Sequence, residues 1–395
     1  MLLSVIIPTH NRYRYVVSTI ETLLSLGEEL EIVVADTSDT NELSAFIANH
    51  EKHDYIKHIR PGAGLSVVDN FNAGFKAATG DYLLFLGDDD FITDAVFRIA
   101  DWAKDNHIDS LKFTFPASYY WPDFKHRRTG SVLSGTLQIA PFSGKVKVHD
   151  ARHALEEALM SFGDGPMNMP RAYLGMISRP LAQRVMMKYG EQLFGGVSPD
   201  VYSAALISIE AESCVMIDYP VIIPGASSAS TSGQNAEGKH VGRLRDNAHV
   251  GAFKNLQWDG RIPEFYSVPT VWSYSLLKAI DKAGKFQDKV NYSRLFVKSL
   301  FYHYHYRREI YSSLGYHYEI GNISSILLRL PHSIFSELSW LAGKAFSRFS
   351  APFRKSDGAD SLAIKDLNNV AEARQALKTH MGNCPRSLDL IEVEN

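Results

Sequence analysis

The sequence predicts an α/β fold: a mostly parallel sheet with helices on both faces, then a mostly helical C-terminal region. Three observations predict it. Short apolar runs alternate with amphipathic stretches along the N-terminal quarter of the chain. Polar and charged residues cluster directly after those runs. Past residue 250 the patterning becomes mainly helical.

Residues 2–7 form a continuous apolar run, as in a strand buried on both faces. Asn11 can cap a helix whose stripe is Val16, Val17, Ile20, Leu23 and Leu24, and Gly27 ends it. Residues 31–35 read as a second strand, 41–50 as a short helix and 55–59 as a third strand. Residues 65–79 fit another helix, ended by Gly80. Residues 82–86 are the most apolar strand, and Asp88, Asp89 and Asp90 follow at once. This βαβαβαβ order argues for a parallel sheet. In such sheets ligands bind beyond the carboxyl ends of the strands.

Further on, 93–107 reads as a helix, 111–115 as a strand, 119–128 as an aromatic and basic surface loop, and 136–148 as hairpin-like. Residues 151–161 and 180–189 look helical, and 215–223 strand-like. Ser198 suits a helix N-cap and Pro199 its first position. Residues 225–242 are rich in Gly, Ser, Ala and Asn, the composition of a mobile loop. Residues 271–315 are mostly helical and rich in tyrosine.

Composition narrows the class. At about 150 residues per domain, 395 residues suggest two or three domains. An apolar fraction of 45% and a charged fraction of 22% exclude global disorder. A net charge of −3 lacks the basic field of a nucleic-acid binder. Two cysteines, Cys214 and Cys384, cannot build a disulfide framework or a four-thiolate zinc site. The N-terminus has no basic region ahead of its apolar run, and no apolar stretch is long enough for a transmembrane helix, so the expected location is the cytoplasm.

Three adjacent carboxylates at a strand end repel one another unless a cation neutralises them. A hard divalent ion with oxygen ligands, Mn2+ or Mg2+, suits them and usually shares its shell with substrate phosphates. The plain alternative is a solvated acidic turn. Asp36, at the end of the second strand, is placed to accept hydrogen bonds from a base or ribose, or to form an Asx-turn. Thr9, His10 and Arg12 follow the first strand and precede a helix, a setting that favours phosphate.

The segments Ser4-Val-Ile-Ile-Pro-Thr-His-Asn-Arg12, Val33-Val-Ala-Asp-Thr-Ser38, Asn72-Ala-Gly74 and Gly80-Asp-Tyr-Leu-Leu-Phe-Leu-Gly-Asp-Asp-Asp90 resemble, in order and spacing, the motifs of family 2 glycosyltransferases. The resemblance is dense over about 2–95 and thinner to about 225. It implies the GT-A fold, and inverting, metal-dependent transfer of a sugar from a nucleotide diphosphate sugar, most commonly a UDP-sugar. It implies nucleoside contacts from Pro8, Thr9 and Asp36 and a metal contact from Asp89, with Asp88 beside it toward the nucleotide and Asp90 beside it toward the metal; His10 and Arg12 join the nucleotide set as the phosphate candidates of the first turn. Gly87 stands where the family often has its first aspartate. Ser198-Pro-Asp-Val-Tyr202 resembles the family's general-base motif, with Asp200 as the base. An acid at a helix N-terminus is also simply favoured by the helix dipole. For a further metal ligand beyond the base, the candidates are His240 and His249.

The implied organisation is a catalytic unit over 1–225, with a nucleotide-binding half to about 115 and an acceptor half after it. A flexible loop at 226–250 and a helical region at 251–395 follow. Within the latter, 323–355 interleaves bulky apolar residues with Arg329, Lys344, Arg348, Arg354 and Lys355, the composition of a helix at a membrane surface. That suits a lipid-linked or glycan acceptor in cell-surface polysaccharide synthesis. The competing readings are a nucleotidyltransferase and an inactive scaffold or binding subunit. The first should carry a glycine-rich loop after the first strand, where this chain has Pro8-Thr-His-Asn-Arg12. An oxidoreductase fingerprint fails because the third glycine of Gly62-Ala-Gly64-Leu-Ser-Val67 is valine.

Overall fold

In the computed structural model the N-terminal apolar run is β1 (Leu3–Thr9), followed by α1 (Tyr13–Leu24). Then come β2 (Leu30–Asp36), α2 (Glu42–Asn49), β3 (Ile56–Ile59), α3 (Val67–Ala77) and β4 (Tyr82–Phe85). The structure describes residues 2–350 and 361–394, apart from 28, 29, 63, 239, 254, 385, 391 and 392; side chains are not described at 248, 249, 345–350, 393 and 394.

The four strands lie parallel in the order β3-β2-β1-β4. Thr9 is paired with Asp36 and Ile6 with Phe85, so the carboxyl ends of β1, β2 and β4 sit side by side. The strand order reverses at β1, the switch point where such sheets bind ligands. Beyond β4 the nine-stranded sheet continues with Met176–Ser178, Ser110–Phe113, Cys214–Ile217, Val146–Val148 and Val393–Glu394. Met176–Ser178 is antiparallel to β4, so the sheet is mixed there.

Alternation along each strand divides the core in two. Val5, Ile7, Val34 and Leu84 pack with Val16, Ile20 and Leu23 of α1. Ile6, Val33, Leu83 and Phe85 pack on the other face with Phe71 and Phe75 of α3 and with the helix Pro199–Glu210. Each large apolar side chain buried this way contributes about 1.5–3 kcal/mol. Gly74 lets α3 lie against β1, since a Cβ there would come within 2.6 Å of the Ile6 side chain.

Several segments differ from expectation. The stretch read as a surface loop over 119–128 begins as a strand, Ala117–Tyr120, in a small second sheet. Tyr119 and Trp121, two residues apart, turn inward and are fully buried, while Lys125, Arg127 and Arg128 stay exposed. The hairpin read over 136–148 does not form: Thr136–Ile139 pairs with Ala117–Tyr120, and Val146–Val148 pairs with Cys214–Ile217. Residues 226–250 contain a short helix, Thr231–Glu237, capped by Ser230, and Ser227 and His240 are buried.

The helices Val268–Ala283, Tyr292–Tyr302, Arg307–Glu319 and Ile323–Ser350 make the C-terminal helical region. Residues after 360, expected to stay with that region, return to the α/β body. Leu362–Ile364 pairs with Thr136–Ile139, and the helix Val370–Gly382 packs on α1. Val370, Ala373 and Leu377 give that helix an apolar stripe at helical spacing, which it can bury only against the sheet side. No helix among the described residues is long and apolar enough to cross a membrane.

Candidate active site

The turn after β4 carries the three aspartates, each held differently. Asp88 receives a hydrogen bond from Thr9 Oγ1 at 2.7 Å, and its other oxygen meets Arg12 Nη1 at 2.6 Å. Asp89 Oδ2 meets Arg12 Nη2 at 3.1 Å and accepts from the Ser227 hydroxyl at 2.7 Å and the Ser227 N–H at 3.1 Å. Asp90 turns away and accepts from the backbone N–H groups of Gly225 and Gly87, at 2.6 and 2.9 Å. A Cβ on Gly87 would lie 2.4 Å from Asp90 Oδ2 and 2.8 Å from the Tyr173 hydroxyl, so a side chain there would require Asp90 and Tyr173 to shift. Trp121 Nε1 donates to the Asp89 carbonyl at 2.9 Å and fixes the turn from below.

The charges are tightly balanced. Burial pushes Asp88 up to about 6, against the pull of Arg12. Burial and the neighbouring Asp89 push Asp90 well above the usual carboxylate range. Burial works against the Arg12 guanidinium, but Asp88 and Asp89 hold it above its ordinary value.

At the end of β2, Asp36 accepts from the Ser38 N–H at 2.8 Å, and its second oxygen lies 3.4 Å from His58 Nε2. Burial raises this carboxyl, but His58 and Ser38 outweigh it and hold it below the usual range. Pro8 is in register with Ala35, and Asn70 of α3 donates to the carbonyls of Ala35 and Thr9, tying the two strand ends together. His10 Nδ1 sits 2.9 Å from the Thr37 carbonyl. Asn11 does not cap α1. It adopts φ +53° and donates to Asp39 at 2.7 Å, and Arg12 takes the N-cap position.

Asp200 lies in the first turn of the helix Pro199–Glu210, with Ser198 as N-cap residue and Pro199 at the first position. Asn72 pins the preceding segment to α3 by exchanging hydrogen bonds with the backbone of Phe194, at 2.9 and 3.1 Å. Ser275 Oγ accepts from the N–H groups of Val197 and Ser198. Burial holds the Arg171 guanidinium below its ordinary value against the attraction of Asp200, Tyr173 and Asp90. Arg171 therefore lies within the field of both Asp200 and the aspartate turn.

Of the residues singled out in the sequence, Thr9, Arg12, Asp88 and Asp89 are in direct contact, with Pro8, His10 and Asp36 on the adjoining strand ends. Asp90 belongs to the turn but is committed to backbone amides. Arg12, expected at a phosphate, is committed to Asp88 and Asp89. His240 is buried with its Nε2 2.9 Å from the Tyr266 hydroxyl, and the His249 side chain lies outside the described residues. Ser227, Arg171, Tyr173 and His58 escaped sequence reasoning; only the Gly-Ser composition around 227 marked its segment, and as a loop.

No group of three or more His, Cys, Asp or Glu side chains arranged for a metal exists among the described residues. Two carboxylates nevertheless converge: Asp88 Oδ1 and Asp89 Oδ2 share one cation, the Arg12 guanidinium. A carboxylate pair fits a divalent ion that completes its shell with phosphate and water.

These strand ends make a switch-point site of an α/β protein, suited to a phosphorylated ligand with a cation. Residues 4–154 match the model of glycosyl transferase family 2, the family that the motifs of this stretch resemble. Among named relatives, the "Uncharacterized glycosyltransferase EpsJ" of Bacillus subtilis is 26% identical over 110 residues, covering 27% of this chain and 32% of the relative. The "Uncharacterized glycosyltransferase RC0461" of Rickettsia conorii is 30% identical over 148 residues, covering 36% and 22%. The matches thus span about a third or less of these relatives. Among solved structures, S. aureus TarS 1–349 in complex with UDP-GlcNAc has 14% identity and a TM-score of 0.43, covering 82% of this chain and 89% of that one. The mannosyltransferase PcManGT of Pyrobaculum calidifontis, in complex with GDP-Man and Mn2+, has 13% identity and a TM-score of 0.38, covering 83% and 86%.

Proposed function

We propose that the protein is an inverting glycosyltransferase that moves a sugar from a nucleotide diphosphate sugar, a UDP-sugar first among them, to a hydroxyl of a glycan or lipid-linked acceptor. The observation that carries this reading is the Asp88–Asp89 pair converging on one cation beside Asp36, within the stretch that matches the family. Asp36, kept ionised by His58 and Ser38, accepts from the nucleoside. Asp88 and Asp89 would hold a divalent ion, Mn2+ or Mg2+, which when bound offsets the charge on the leaving diphosphate. Asp200 takes the proton of the acceptor hydroxyl as it attacks the anomeric carbon. Attack on the face opposite the leaving group inverts that carbon, through an oxocarbenium-like transition state of the kind glycoside hydrolysis uses. The catalytic unit of this reading is 1–225 together with the returning segment 361–394, which extends both sheets.

The helix Ile323–Ser350 supports a surface role in the same reading. Leu327, Leu328, Phe335, Leu338 and Trp340 are exposed along it, and Lys344 sits over the Trp340 ring. Its acid, Glu337, is buried and paired with Arg294 at 2.7 Å. An apolar exposed face with basic charge suits the headgroup region of an anionic membrane, from the cytoplasmic side, where a lipid-linked acceptor lies.

The test is release of nucleoside diphosphate from a panel of UDP-, GDP-, CDP- and dTDP-sugars, with Mn2+ and with chelator. One donor class should turn over, and only with the metal. Turnover of none, with the protein folded, favours the inactive binding subunit.

A further inference from the structure

Arg12 is a cation already seated where the divalent ion of the proposed reaction would sit. Its two terminal nitrogens reach one oxygen of Asp88 and one of Asp89, and the Ser227 hydroxyl bridges Arg12 Nη2 and Asp89 Oδ2, at 2.9 and 2.7 Å. The guanidinium lies over the Tyr15 ring, 5.4 Å from its centre. The Arg12 side chain keeps 22% of its surface exposed, whereas Asp88 keeps 2%, so an outward path exists for the arginine and none for the carboxylate. Arg12 Nε is buried without a hydrogen-bond partner among the described residues, so the carboxylates and Ser227 hold the head. Asp88 Oδ1 is buried too and accepts no hydrogen bond there: its ion pair neutralises it without a donor aimed along its lone pair. A spherical ion has no such directional requirement.

We propose that Arg12 is a resident counter-cation that a divalent ion must displace from Asp88 and Asp89, so that the two cations occupy the carboxylate pair in exchange. This rests on the reading of Asp88 and Asp89 as the cation site. Two carboxylates carry two negative charges, and Arg12 cancels one. With Arg12 seated the pair attracts a second cation weakly. With Arg12 swung out it attracts one strongly, and the freed guanidinium becomes available to the donor diphosphate. The protein would then hold its metal poorly until nucleotide arrives. Ser227 strengthens the resting arrangement, because its N–H and hydroxyl both donate to the oxygen a metal would take.

The experiment titrates the full chain with Mn2+ alone and follows free Mn2+ by electron paramagnetic resonance. Arg12→Met should bind Mn2+ about tenfold or more tightly than the native chain, the scale of a lost charge-assisted hydrogen bond. Unchanged or weaker affinity in a cooperatively melting Arg12→Met chain overturns the proposal. Ser227→Ala keeps Arg12 and covers the case in which Arg12→Met does not fold. It removes one donor to Asp89 and should tighten Mn2+ by about two- to tenfold; equal or weaker affinity again overturns it. Neither measurement needs nucleotide or turnover. Tightened Mn2+ binding in a chain that binds no nucleoside diphosphate would leave the exchange standing and sink the functional reading.

Discussion

The strand-end site and the helix Ile323–Ser350 break the same rule in opposite directions. At the strand ends, four charged side chains, Asp36, Asp88, Asp89 and Asp90, are buried to 3% exposure or less. On the helix, Leu328 and Phe335 are 83% and 71% exposed. Buried charge costs several kcal/mol per ion unless paired, and exposed apolar stripes invite association. A third region shows what a purely structural arrangement looks like. Asp259 is only half-buried, more open than Asp88, and hydrogen bonds from Arg261 and Lys278 outweigh its burial and hold it far below the usual range. Asp88, with one shared arginine, ends up near 6. Asp88 is both more deeply buried than Asp259 and paired with fewer cations, so the aspartate turn is the less compensated of the two.

The largest expected effect breaks the site itself. Asp89→Ala should abolish metal-dependent nucleotide binding in calorimetry, while the melting curve stays cooperative. Next, Asp200→Asn should keep donor binding and lower transfer by about 10²–10⁴-fold, the usual worth of a general base. Near-normal turnover would remove Asp200 from that role. Gly87→Ala pushes a methyl into Asp90 and Tyr173 and should cost about 1–3 kcal/mol by thermal or urea unfolding.

On the helix, Leu328→Glu with Phe335→Glu should cut co-sedimentation with phosphatidylglycerol vesicles. Stability should change by about 0.5 kcal/mol or less for each exposed substitution. A loss of stability well beyond that would mean that the face packs on protein. The smallest effect concerns pH. Asp259 binds its proton less tightly folded than unfolded, so its contribution is present above about pH 4 and is lost as the pH falls below that. Asp259→Asn should therefore flatten the acid limb of the stability profile, measured by unfolding between pH 3 and pH 7.

Much of the nucleotide half is legible in the sequence because its strands are buried on both faces and read as unbroken apolar runs. The aspartate turn is legible because three carboxylates at a strand end need a reason. Other features escape for identifiable causes. Tyr119 and Trp121 sit next to Lys125, Arg127 and Arg128, so the local composition suggests surface while the alternation carries a strand. Ser227 reaches Asp89 across 138 positions of sequence, and no local pattern encodes that contact. Asp90 differs from its two neighbours only through the amides of Gly87 and Gly225, which only the folded turn presents. The return of 361–394 to the sheets depends on partners more than two hundred residues earlier.

The measurement that tests the account most directly is calorimetric titration of the native chain with UDP, GDP, CDP and dTDP, each with Mn2+ and with chelator. The account predicts binding of one nucleotide class, lost with chelator and lost in Asp89→Ala. Binding that survives both, or no binding of any of the four, would contradict it.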